Sequence, residues 1–114
     1  MMKSSITTHV LDTSLGAPAA GIEIRLDRLG DDGVWRGVGG GATDADGRAG
    51  QLLDGAIEVG TYSLTFETGP YLADSGRDGF FPQVRIEFVV NDAAQHYHVP
   101  LLLSPYGYST YRGT

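Results

Sequence analysis

IEIRLD (22–27) decides the fold class: Ile22, Ile24 and Leu26 alternate with Glu23, Arg25 and Asp27. Successive side chains of an extended strand point to opposite sides, so this period of two predicts a strand with one face buried and one in water. The same alternation returns at Tyr62, Leu64 and Phe66 between Ser63 and Thr65, and at Val84, Ile86, Phe88 and Val90 around Arg85 and Glu87. Three such strands call for more of their kind to close a core.

The intervening chain supplies them. Ile6 to Asp12 reads as a first strand, ended by the loop TSLGAPAAG (13–21). DDG (31–33) makes a hairpin turn into a strand at Val34–Val38, where Trp35 is available to fill a core or an interface. GGGATDADGRAG (39–50) reads as a long glycine- and aspartate-rich connection, and TGPYLADSGRD leaves room for one short helix around Tyr71–Asp74. NDAAQ (91–95) turns the chain into a strand at His96–Leu103, and SPYG (104–107) leads to a short terminal strand at Tyr108–Arg112.

Seventeen glycines and five prolines punctuate these segments, as many turns require. The expected architecture is all-β: two packed antiparallel sheets, about eight strands and one short helix, in a single domain spanning 1–114. Exposed edge strands would favour oligomers formed by edge pairing.

Composition narrows the function. The 114 residues carry a formal net charge of −6, and Lys3 is the one lysine beside seven arginines. A chain so acidic, with scattered arginines, is poorly suited to neutralising phosphates, so nucleic acid is not an expected partner. No run of about 20 apolar residues is present, so no membrane partner is expected either. Cysteine is absent, which excludes disulfides, thiolate metal sites and cysteine nucleophiles. MMKSSITTHV (1–10) has no apolar segment of the kind a secretory signal carries, and the expected location is the cytosol.

The chemistry-bearing residues are few. Histidine is the side chain best matched to proton transfer near neutral pH, and the chain has His9, His96 and His98. In strands, His96 and His98 share one face, as do Thr7, His9 and Leu11. The alternatives are satisfied structural histidines, or a metal site begun by the His-x-His pair with His9 as third ligand; no carboxylate is obviously placed to complete the latter. TDADGR (43–48) lacks the later ligands of a calcium loop and reads as a turn. Arg48, which leaves that turn, is either a surface charge or a planar donor for anionic oxygens. STYRGT (109–114) would ordinarily fray. An aromatic strand end bearing an α-carboxylate on Thr114 is able instead to insert beside a neighbouring subunit.

Four blocks together resemble the 5-hydroxyisourate hydrolases of the transthyretin-like family: THVLD (8–12), PAAGIEIRLDRL (18–29), TDADGR (43–48), and FFPQVRIEF (80–88) followed by HYHVPLLLSPYGYSTYRGT (96–114). The blocks run in the family's order over almost the whole chain, and the terminal Tyr-Arg-Gly-hydroxyl signature separates the hydrolases from the transthyretin carriers. The resemblance implies an eight-stranded sandwich with a short helix, paired edge to edge and doubled into a homotetramer with active sites between the dimers. It implies catalytic roles for His9, Arg48, His98 and Thr114, with His9 the expected base and His98 its partner. Substrate contacts would come from His9, Arg48, Tyr111, Arg112, Gly113 and Thr114. His96 receives no role, and Tyr106 and Tyr108 are expected to pack an interface. Two departures stand out: the last position is usually serine, where Thr114 adds a methyl, and FFPQ replaces the familiar FFPE. The implied reaction is hydrolysis of 5-hydroxyisourate to 2-oxo-4-hydroxy-4-carboxy-5-ureidoimidazoline in urate degradation, with no cofactor and no metal. The rival expectation is a non-catalytic carrier of the same fold.

Overall fold

The computed structural model describes residues 5–114; the reading of the extreme N-terminus falls largely on residues 1–4, outside them. The elements run β1 (Ile6–Asp12), β2 (Ala17–Pro18), β3 (Glu23–Leu29), β4 (Trp35–Ala42) and β5 (Arg48–Ala49). They continue with β6 (Gly60–Phe66), α1 (Thr68–Asp74), β7 (Val84–Val90), β8 (Tyr97–Ser104) and β9 (Gly107–Thr110). One sheet has the order β2-β1-β8-β9 with β5 also on β1, and the other has the order β4-β3-β6-β7. This is the expected two-sheet sandwich with one short helix.

The decisive alternation performs as read. Ile24 and Leu26 are buried while Glu23 and Arg25 are exposed, and β7 repeats the pattern with Val84, Ile86 and Val90 inside. From the facing sheet, Ile6, Val10, Tyr97, Val99, Leu101 and Leu103 complete one apolar cluster. Burial of these side chains contributes about 1.5–3 kcal/mol each and is the main force closing the two sheets.

Four local expectations are corrected. First, the pair β1–β8 is parallel, in register from Ile6↔Tyr97 to Asp12↔Leu103. These strands come from opposite ends of the chain, so no hairpin dictates their direction. Second, β4 runs through Gly39–Gly41, where a connection was expected. A Cβ at Gly39 would overlap the Leu52 carbonyl, and one at Gly40 would sit 2.6 Å from the Ile24 carbonyl oxygen, so the glycines allow close backbone approach within the sheet. Third, the loops after β1 and β4 hold the two-residue strands β2 and β5, too short for any periodicity. Fourth, the last strand stops at Thr110 rather than Arg112, and the chain bends back so that Gly113 bridges His98. Of the two places expected for Trp35, a core or an interface, the core is not used: the ring is half-buried under the Arg85 guanidinium, 4.5 Å from its centroid.

The helix is tied to β1 by a buried charge. Asp12 is fully buried and accepts from Arg77 Nη2 at 2.6 Å, from the Tyr71 hydroxyl at 2.7 Å and from Ser14 Oγ at 2.9 Å. Burial opposes ionisation of Asp12, but the hydrogen bonds from Arg77, Tyr71 and Ser14 outweigh it and hold the carboxyl well below the usual carboxylate range. A carboxylate depressed in the folded state stabilises fully above its unfolded pKa of about 3.9, and that contribution is lost as pH falls toward the native value. Arg77→Met strands the Asp12 charge and should cost about 3–5 kcal/mol in urea unfolding at pH 7. The deficit should shrink as pH falls, because the stranded Asp12 of the folded variant, buried without Arg77, takes up a proton that the wild-type carboxylate does not; a deficit that stays constant down to about pH 2 would refute this account.

Candidate active site

Strand register assembles the site. On β1 the residues Thr7, His9 and Leu11 lie on the face opposite the core residues Val10 and Asp12, and the parallel register sets Thr7 beside His98 and His9 beside Pro100. On the other edge of β1, β5 pairs Arg48 with His9. The turn that delivers Arg48 is fixed by Asp44, whose Oδ1 accepts from the backbone N–H groups of Asp46 (2.8 Å) and Arg48 (3.0 Å). Gly47 within it has φ +76°, and a Cβ there would lie 2.5 Å from the Val10 carbonyl oxygen. TDADGR is therefore a turn, as its sequence suggested, and its hydrogen bonds make it an Asx turn.

From the opposite direction, the Gly113 N–H donates to the His98 carbonyl at 2.8 Å and lays the tail along β8. The result is an open cleft of about 350 Å³ whose lining includes Thr7, Arg48, Gln51, His96, His98 and Thr114. The sequence candidates Arg48, His98 and Thr114 thus meet in one place. A larger cleft of about 620 Å³ lies beside α1, between Glu23, Glu67 and Asp74, and contains none of the candidates.

The other candidates sit differently. His9 is outside the cleft lining, and its Nε2 lies 2.9 Å from the Asp46 carbonyl oxygen. A carbonyl only accepts, so His9 Nε2 carries a proton here and Nδ1 is the basic atom when the ring is neutral. Tyr111 and Arg112 turn away from the cleft into an apolar groove of about 210 Å³ against β7, where the Arg112 guanidinium covers the Tyr97 ring at 4.5 Å and donates to Gln95 Oε1 at 2.9 Å. Through these contacts Arg112 holds the tail in place. Gly113 shows how tight that placement is: a Cβ would meet His98 Cδ2 at 2.6 Å and Pro100 Cγ at 3.1 Å.

Two neighbours of the site, Thr7 and His96, were given no catalytic role by the sequence. Thr7 Oγ1 lies 2.8 Å from His98 Nδ1 and 3.0 Å from His96 Nε2. These contacts span separations of 91 and 89 residues, which no local pattern announces. Among the described residues, no group of three His, Cys, Asp or Glu side chains gathers in a metal-holding arrangement. No helix among them is long and apolar enough to cross a membrane.

Comparison with known proteins gives the arrangement a context. The model of the HIUase/Transthyretin family matches residues 6–113. A 5-hydroxyisourate hydrolase 2 of Rhizobium meliloti is 50% identical, with all of both chains covered. The uric acid degradation bifunctional protein TTL of Arabidopsis thaliana is 47% identical over 96% of this chain, which spans only 37% of that longer protein. Among solved structures, the 5-hydroxyisourate hydrolase of Klebsiella pneumoniae superposes with a TM-score of 0.84 at 37% identity, covering 99% of this chain and 100% of that one. Sea bream transthyretin in complex with thyroxine superposes with a TM-score of 0.91 at 27% identity, covering 97% and 96% of the two chains.

Proposed function

Since this chain belongs to the HIUase/Transthyretin family over residues 6–113, we propose that it is an enzyme, a single transthyretin-like domain that hydrolyses 5-hydroxyisourate in urate degradation. The observation that carries the reading is the convergence of Arg48, His98 and Thr114 on one cleft of about 350 Å³, a size suited to a small heterocycle. Opening a cyclic amide requires a water, a base to take its proton and a donor for the oxyanion.

In this proposal His98 is the base, which reverses the order expected from sequence. His98 borders the cleft, whereas the His9 Nε2–H is committed to the Asp46 carbonyl. His9, paired with Arg48 across β1 and β5, contacts substrate from the cleft margin. Arg48 is a permanent cation with planar donors, suited to a carbonyl oxygen that becomes an oxyanion. The Thr114 hydroxyl orients water or substrate. His98 and Arg48 thus supply the base and the oxyanion donor.

A homotetramer in the cytosol belongs to the same proposal. What supports association is that β7 and β9 end their sheets and that Phe80, Tyr106 and Tyr108 are exposed. A second subunit over the open cleft would exclude water and strengthen Arg48. Tyr111 and Arg112 would then reach substrate only by leaving their groove, or act by holding Thr114.

The carrier reading draws on the likeness to thyroxine-bound transthyretin. Fold alone does not choose between them; a cation, an imidazole and a hydroxyl on one cleft favour chemistry over storage. An ultraviolet time course of freshly made urate oxidase product should show faster loss of hydroxyisourate with the protein present. Decay at the spontaneous rate would refute the hydrolase and leave the carrier.

Within this reading, Gly113→Ala pushes the tail off His98 and misplaces Thr114. A displacement of about 1 Å costs about 10²-fold in rate, so turnover should fall by that order while the thermal midpoint barely moves. Unchanged turnover would show that the close contact at Gly113 is immaterial.

A further inference from the structure

Thr7 stands between two imidazoles. The centroids of His96 and His98 are 6.5 Å apart, their planes 16° from parallel, with the Thr7 hydroxyl in contact with one nitrogen of each. The arrangement follows from the backbone: residues 96 and 98 point to one face of an extended segment, and the parallel register sets Thr7 against His98. Thr7 is only 8% exposed, while His96 faces solvent.

A hydroxyl has one proton to give and lone pairs to accept with. Between two neutral rings it donates to one, and the other must donate to it. The contacting atoms are His98 Nδ1 and His96 Nε2, so the tautomers are matched: either both rings carry their proton at Nδ1 or both carry it at Nε2. Thr7 couples the tautomers of the two histidines.

The geometry points to a proton exit from His98 through Thr7 to His96, an inference that rests on the hydrolase reading with His98 as base. In the resting arrangement the His98 Nδ1–H donates to Thr7 Oγ1 and the Thr7 O–H donates to His96 Nε2. The basic atom of His98 is then Nε2. As the water oxygen forms its bond to the acyl carbon, the carbonyl π pair moves to the oxygen facing Arg48 and one water O–H bond breaks toward His98 Nε2. The Nδ1 proton of His98 passes to Thr7 Oγ1, and the original Thr7 proton passes to His96 Nε2. His98 stays neutral, Thr7 keeps one proton, and the single positive charge ends on His96. An exposed imidazole carries that charge at less desolvation cost than a half-buried one and releases the proton to water. Thr7 and His96 border the cleft, and in this relay they are positioning residues that act through His98.

The test combines imidazole ¹⁵N–¹H correlation spectra with steady-state kinetics. In the wild-type protein above the range where the rings protonate, His96 and His98 should both show the Nδ1–H pattern. Thr7→Val, which keeps the shape and removes the hydroxyl, should return both to the Nε2–H form that free imidazole side chains favour. The same variant should lower kcat by about 10–100-fold, the scale of loss when the partner orienting a metal-bound histidine is removed, with KM little changed. Thr7→Ser should recover most of that loss. His96→Gln, at an exposed position, should lower kcat similarly, and adding Thr7→Val to it should cost little more because both act through one path. Mismatched tautomers in the wild type, or wild-type turnover in Thr7→Val, would overturn the relay whatever the absolute activity. Matched Nδ1–H tautomers in a protein that leaves hydroxyisourate decay unchanged would overturn the hydrolase reading alone.

Discussion

Replacing His98 by asparagine should lower turnover of 5-hydroxyisourate by about 10²–10⁴-fold, the range that general-base assistance supplies, while the sandwich still folds. The expectation follows from where the ring sits. His98 is half-buried on the outward face of β8, so the change leaves the core residues Tyr97, Val99 and Leu101 untouched. Asparagine retains polar atoms that can reach Thr7 but has no atom able to take a proton from water near neutral pH. Chemistry and stability should therefore separate: the circular dichroism melting curve should stay near that of the wild type as kcat collapses. A His98→Asn protein with near wild-type turnover would remove the imidazole from the mechanism. The matching change His9→Asn should cost less, because the His9 Nε2–H already serves the Asp46 carbonyl at 2.9 Å. A larger loss at His9 than at His98 would restore the order the sequence suggested.

Deleting residues 111–114 should abolish measurable hydrolysis, a loss of at least about 10³-fold, because it removes a positioned hydroxyl and the groups that position it together. The tail is held at three points. Gly113 N–H bonds the His98 carbonyl at 2.8 Å, Arg112 bonds Gln95 Oε1 at 2.9 Å, and the Arg112 guanidinium covers Tyr97 at 4.5 Å. Of these partners only Tyr97 belongs to the apolar core, where its ring is held by the cluster rather than by Arg112, so the truncated chain should fold with only a modest loss in urea unfolding. An active truncated protein would take the tail out of the site. Thr114→Ala isolates the hydroxyl: it should be milder than the deletion, since the anchors survive.

Much of the fold was legible because burial writes a short-range pattern. Ile22, Ile24 and Leu26 on one side of a strand, with Glu23, Arg25 and Asp27 on the other, reveal a face without any knowledge of what covers it. The failures occur where that pattern is silent. Gly39–Gly41 have no side chains to alternate, so the second half of β4 looked like a loop. β2 and β5 are two residues each, below the length at which any period exists. The direction of β1 against β8 was beyond local reading, because the rest of the sandwich separates the two strands.

The site divides along the same line. Sequence by itself determined the class of fold, from alternation, and the chemical vocabulary, from three histidines, seven arginines and no cysteine; resemblance then attached roles to particular positions. Only the tertiary structure decided which groups meet. It joined Arg48 and Thr114 at His98, set His9 against Asp46, turned Tyr111 and Arg112 into a separate groove, and placed Thr7 between His96 and His98. The physical reason is one of range. Solvent exclusion acts on each residue along its own strand and leaves its period in the chain, whereas a hydrogen bond across 91 residues depends on strand register, which exists only once the sheet has formed.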